Sequence, residues 1–431
     1  MTDAYESAVK AIAHYFESGA KPNANRIGIE LEHILAADAD GEPIPYKQTA
    51  GDAHGRDRQT GCVANILEAL RADYPAETRH GDDLLGVSRP GAAVTIEPAA
   101  QLELSAGPFA TLDEADAVYR AFEKEVAALA AQEGAHVQAI GYDPKRKAAE
   151  KTIIPKDRYK FMNRYLSAIS PYGPCMMRAS ASTQISIDYT DEADAMRKLR
   201  LASAASPLFA LMTDNAPVFE GARRPHAMMR TKIWNECDPD RCRTVPGALD
   251  ADFSFRRYAE WILSTPAIVN MAEGEARYDE RAFADIFADR PMGEADIEHA
   301  LSMVFPDVRL KRYIEIRPAD SMPVAYALAY AALIKGLFYS DGSLDVLDGL
   351  FAGVTVDDVD AAKESLMADG YNATAFGKPA AALCDELVAL AANGLSDAER
   401  PFLTPLANLV ANRTTLADLG GVSDPLADPV M

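Results

Sequence analysis

Cysteine, tryptophan and long apolar runs are all scarce in this chain of 431 residues. Its five cysteines, Cys62, Cys175, Cys237, Cys242 and Cys384, form an odd, scattered set. Such a set gives no disulfide framework and suits a reducing compartment. Cys237 and Cys242 have the wrong spacing for a zinc knuckle and lack a second pair, so free thiols are expected. No apolar run is long enough to cross a bilayer. Cations are also in deficit, with 43 Lys and Arg against 65 Asp and Glu and a net charge of −22. That balance argues against nonspecific nucleic-acid binding and against an anionic membrane partner. An anionic substrate would need local Arg, Lys or metal. Three phosphate or nucleophile signatures are missing as well. There is no Gly-x-x-x-x-Gly-Lys-Ser/Thr loop, no Gly-x-Gly-x-x-Gly with its acidic partner, and no Gly-x-Ser-x-Gly elbow. The first residues predict an amphipathic helix over 2–18 without the layout of a signal or transit peptide, so a cytoplasmic location is the default expectation.

What the chain does have is a set of strands with one polar face. In Arg26–Leu35, Ile27, Ile29 and Leu31 alternate with Gly28, Glu30 and Glu32. A spacing of two puts both carboxylates on one face. Taken alone, the stretch fits a strand whose polar face meets water, or a cation site. Gln101 and Glu103, Gln184 and Ser186, and Glu315 and Arg317 repeat the pattern, and Glu97 stands just before the break at Pro98. If these strands are neighbours, their carboxylates converge into a site for several divalent cations. Such ions commonly hold nucleotide phosphates. His33 falls on the core side of its strand and reads as structural.

The pattern further predicts helices at 61–73, 111–133 with Thr111 as N-cap, 155–170, 191–213, about 254–264, 279–287 and 294–303. It predicts a loop over 36–57, a turn at Arg89-Pro90-Gly91, a short strand at 136–141 and strands over 174–189 and 308–317. Residues 214–250 read as loop, Lys145–Lys151 as a solvated basic patch, and the chain beyond 323 as successive helices.

Six runs occur together in order: GIELE (Gly28–Glu32), IEPAAQLELS (Ile96–Ser105), PKDRYKFMNRY (Pro155–Tyr165), STQISIDY (Ser182–Tyr189), MRTKIWNECDPDR (Met229–Arg241) and FPDVRLKRYIEIRPAD (Phe305–Asp320). This set resembles the plant and proteobacterial type of glutamate–cysteine ligase, among the glutamine synthetase-like carboxylate–amine ligases. The resemblance covers roughly residues 25–345. It implies an α+β fold, a curved and mostly antiparallel sheet with the active site on its concave face and helices packed outside. Residues 1–345 would be the catalytic domain and 346–431 a helical extension packed on it.

The implied reaction joins the γ-carboxylate of L-glutamate to the amine of L-cysteine through a γ-glutamyl phosphate, with ATP as co-substrate and two or three Mg²⁺ ions. Its product opens glutathione and other thiol routes. The implied metal ligands are Glu30, Glu32, Glu97, Glu103, Gln184 and Glu315. Arg317 and Glu315 take catalytic roles, Lys311 and Arg317 meet ATP, and Arg158, Arg230, Tyr159 and Lys156 meet substrate. A monomer or homodimer with small-molecule partners is expected. Departures from the family pattern stand at Ala179, Ser186 and Ser321–Val324, and they bear on the acceptor pocket. Two alternatives remain, a γ-glutamyl ligase with another amine acceptor and a non-catalytic metal-binding relative. No paired cysteines of a redox switch are identifiable.

Overall fold

The structure, a computed structural model, describes residues 3–48, 61–271 and 274–429. Part of the expected 36–57 loop lies outside that range. The main sheet has nine strands: β1 (Ile27–Ala37), β2 (Ala76–His80), β3 (Asp83–Arg89), β4 (Ala92–Ile96), β5 (Leu102–Phe109), β6 (Ala135–Gln138), β7 (Ser182–Ile187), β8 (Val308–Leu310) and β9 (Ile314–Asp320). Their order is β8-β9-β7-β1-β5-β4-β3-β2, with β6 added on β1. Every pairing is antiparallel.

Alternation decides the two faces. Ile27, Ile29, Leu31, Leu102, Leu104, Ile185, Ile187, Ile314 and Ile316 are all buried. Against the sheet pack α3 (Leu112–Gln132), α6 (Glu192–Met212) and α10 (Val324–Phe338). The helices are α1 (Asp3–Glu17), α2 (Val63–Leu70), α3, α4 (Asp157–Ile169), α5 (Gly173–Arg178), α6, α7 (Met229–Cys237), α8 (Phe255–Ser264), α9 (Glu294–Leu301), α10, α11 (Asp341–Leu350), α12 (Val356–Asp369), α13 (Ala380–Gly394) and α14 (Thr404–Ala411), beside short turns. Thr111 caps α3 in a reciprocal capping box with Glu114. Every residue of helix α10 except Lys335 is buried, which fits a helix enclosed on nearly all sides. It crosses α13 closely, and a Cβ at Gly336 would lie 2.2 Å from the carbonyl oxygen of Ala391. One continuous apolar core runs from Ala8 to Leu416. Among the described residues no helix is long and apolar enough to cross a membrane.

Five expectations change. Residues 174–189 are not one strand, because the Met-rich half coils as α5 and extension begins at Ser182. Residues 308–317 are a hairpin, β8 turning into β9, rather than a single strand. The turn at 311–313 carries no Gly, Pro or Asn to announce it. The segment 214–250 holds α7, whose N-cap Met228 sits at φ 54° and supplies no polar side chain. Residues 277–282 are a strand paired with 266–270, and only Phe283–Ile286 coils. The basic patch is not wholly solvated, since Lys151 is buried in a 2.6 Å ion pair with Asp143.

Candidate active site

Register builds the polar row. Glu30 stands across from Gln184 of β7 and from Ser105 of β5, and Glu32 stands directly across from Glu103. Glu315 of β9 pairs with Ser186 of β7. Glu97 leaves β4 in a tight turn, its N–H donating to the carbonyl of Gln101 at 2.8 Å. A cleft of about 310 Å³ opens over this row. Its floor holds Glu30, Glu32, Glu97, Glu103, Gln101 and Gln184. The β8–β9 hairpin adds Arg309, Lys311 and Arg317. Helices α4, α5 and α7 add Arg158, Tyr159, Met162, Met176, Met177, Arg230 and Trp234.

The floor is an anion-rich surface of low solvation. Like charges directly opposite on neighbouring strands repel. Burial, then Glu97 and Glu32, push Glu103 up to about 8, against hydrogen bonds from Ser105 Oγ at 2.8 Å and Thr95 Oγ1 at 3.2 Å. Burial, then Glu315 and Glu103, raise Glu30 to about 7. Burial, then Glu32, raise Glu97 to about 7. Burial also raises Glu32, although Arg230 and the Ser182 N–H at 2.7 Å oppose it.

The hairpin is the opposite case. Burial alone would raise Glu315, but Arg309, Lys311 and Arg317 outweigh it and hold the carboxyl well below its usual range. Arg309 Nε and Arg317 Nη1 each donate to Oε2 at 2.7 Å, and Lys311 Nζ donates to Oε1 at 3.0 Å. A carboxylate offers about four lone-pair positions, so roughly one remains on Oε1. Arg317 also donates to Gln184. On the helical wall, Arg230 Nε donates to the Arg317 carbonyl at 3.1 Å, and its guanidinium lies 3.9 Å from the Trp234 ring centre. Burial lowers Arg230 to about 10. Arg158 donates to the Ser302 carbonyl at 2.7 Å. The Nε atoms of Arg158 and Arg317 are buried with no hydrogen-bond partner, two donors suited to an anion.

The structure brings nearly all the sequence candidates into this cleft. Glu315 does not line the cleft itself but adjoins Glu30, enclosed by Arg309, Lys311 and Arg317. Lys156 stands beside the cleft rather than in its wall, its Nζ 4.7 Å from the Tyr159 ring centre. His33 is structural, with Nε2 2.8 Å from Glu123 Oε1. All five cysteines are free and buried. A hard divalent cation fits the donor set, which is carboxylate and amide oxygen. Among the described residues no three acidic, His or Cys side chains already surround one point. An ion there would complete its shell with Gln184, phosphate or water oxygens.

Arg309 was missed as a site residue, although its place on the Glu315 face of VRLKRYIEIR was a usable signal. Met162, Met176 and Met177 carried none, because a cleft methionine and a core methionine have the same periodicity.

The model of glutamate–cysteine ligase family 2 matches residues 26–401. The chain belongs to that family. Among its relatives, the chloroplastic glutamate–cysteine ligase of Medicago truncatula is 28% identical over 94% of this chain and 79% of its own length. The chloroplastic enzyme of Arabidopsis thaliana is 31% identical over 79% of this chain and 65% of its own length. Among solved structures, a glutamate–cysteine ligase from Francisella tularensis, in complex with AMP, superposes with TM-score 0.56 at 10% identity, covering 92% of this chain and 84% of that one. That likeness is one of fold.

Proposed function

We propose that this family member is an ATP-dependent ligase that joins the γ-carboxylate of L-glutamate to the amine of L-cysteine, releasing ADP and phosphate. The observation that carries this reading is the split cleft, four carboxylates on the floor facing a wall of five cations, in a chain matched by the family model over most of its length. A carboxylate is a poor electrophile. One of its oxygens must first attack the γ-phosphorus of ATP, expelling ADP. The amine then attacks the acyl phosphate, and phosphate leaves with that oxygen.

Arg158 and Arg230 bind the glutamate carboxylates, with Arg158 Nε as a ready donor. Tyr159 closes that end of the cleft, and Lys156 adds positive potential nearby. Lys311 and Arg317, with Arg309 beside them, stabilise charge on the transferring phosphoryl group. Glu315 fixes all three in place. Glu30, Glu32, Glu97, Glu103 and Gln184, with the open position on Glu315, would hold magnesium. When bound, magnesium neutralises phosphate charge and aligns the triphosphate with the incoming carboxylate. Holding both substrates in register replaces an encounter in solution.

The test is a product assay with ATP, L-glutamate and a panel of amines. Cysteine should give the largest kcat/KM. ADP release that depends on glutamate but favours another amine would reassign the acceptor. ADP release indifferent to any added amine would overturn the ligase reading.

A further inference from the structure

Behind the arginine wall lies a small recess whose lining includes Arg230, Arg317, Trp234 and Asp307. Asp307 occupies the bend just before β8 and is buried. Its backbone helps place the wall, since its carbonyl accepts from the Arg317 N–H at 2.9 Å and its own N–H donates to the Arg243 carbonyl at 3.0 Å. Its carboxylate is paired from far along the chain. Lys363, on α12 and only 1% exposed, places Nζ 2.6 Å from Asp307 Oδ2. The same ammonium also reaches Thr244 Oγ1 at 3.4 Å.

We propose that Lys363 is a positioning residue for the site: by holding Asp307, it keeps that carboxylate from capturing Arg317 or Arg230. The inference rests on the functional reading above. A buried carboxylate that loses its cation pairs with whatever cation is nearest, because an unpaired buried charge is costly. Two guanidiniums line the same recess, and Arg317 has an unpartnered Nε–H. Capture would draw Arg317 away from Glu315 and Gln184, or Arg230 away from Trp234. The cleft would keep its fold and lose its cation geometry. Helix α12 thus acts on the reaction through Lys363 and Asp307.

The experiment compares wild type with K363Q, K363M and K363M/D307N. K363Q removes the charge and leaves a slightly shorter side chain that can still donate a hydrogen bond. The expected result is that K363Q and K363M each lower kcat/KM for glutamate about ten- to hundredfold per folded enzyme, the scale of a small misplacement at a reacting centre. K363M/D307N, which leaves no carboxylate lining the recess, should return to within about threefold of wild type, a non-additive pair. A purely structural Lys363 would lower the melting temperature while leaving kcat/KM of the folded fraction unchanged. Folded K363Q with kcat/KM within about twofold of wild type overturns the proposal.

A crystal structure of K363Q reads the same point without turnover. Asp307 should then lie within hydrogen-bond distance of Arg317 or Arg230, and an Asp307 that stays in place overturns the proposal. If wild type itself makes no γ-glutamyl product, it is the functional reading that fails, and the crystal structure still decides the Lys363 inference.

Discussion

Glu32 of β1 and Glu103 of β5 stand directly opposite each other across an antiparallel pairing, both buried. Sheets avoid that arrangement, since like charges in facing positions destabilise by up to about 1 kcal/mol. Under the function proposed above, a cation offsets this repulsion, and the unloaded site gives up some stability.

Replacing Glu32 by Gln should therefore separate activity from folding. We expect turnover to fall by about a hundredfold or more, on the scale of losing one preorganised electrostatic contact. The melting temperature should stay level or rise. Steady-state kinetics with calorimetry on the same sample checks both, and a variant that unfolds while wild type stays folded would show Glu32 to be structural.

Glu315 should behave in the opposite way. It neutralises two buried arginines, Arg309 and Arg317, and the half-buried Lys311. Glu315→Ala leaves them uncompensated and should cost about 3–5 kcal/mol of stability, the usual scale for breaking a buried pair from one side. Urea denaturation measures this. A loss under about 1 kcal/mol would mean that solvent already screens the cluster.

Removing divalent cations should abolish turnover, and adding magnesium back should restore it. Because the ion favours the folded chain, magnesium at about a hundred times its dissociation constant should add about 2.7 kcal/mol of stability. Glu32→Gln should show a much smaller shift. An equal shift in both proteins would place the ion elsewhere.

Arg230 is held on two sides, by the Arg317 carbonyl and the Trp234 ring. Arg230→Lys cannot reproduce a flat guanidinium stacked on an indole. Its KM for glutamate should rise about tenfold or more while KM for cysteine changes little, as for loss of one bidentate contact. Equal changes in both would point to a general collapse of the cleft.

The acidic floor was legible in the sequence because strand alternation fixes faces. Knowing that Ile29 and Leu31 point inward sends Glu30 and Glu32 to the other side. The same logic reached Glu103, Gln184 and Glu315. It succeeded even though 308–317 is a hairpin, because Arg309 and Glu315 face each other across it. What stayed hidden depended on tertiary context. Helix α5 is short and Met-rich, with no capping side chain to separate it from the strand that follows. Helix α7 begins at a left-handed Met228, a conformation that local propensity does not foresee. The Lys363–Asp307 pair joins positions far apart in the chain, and no pattern in either segment marks it.

The most direct measurement follows the fate of one oxygen atom. L-Glutamate carrying heavy-isotope oxygen in its γ-carboxylate is incubated with ATP, magnesium and L-cysteine, and both products are analysed by mass spectrometry. The acyl-phosphate mechanism predicts γ-glutamylcysteine, one ADP per peptide bond, and a single labelled oxygen in the released phosphate. Peptide formation with unlabelled phosphate, or ADP release with no γ-glutamyl product, would contradict it.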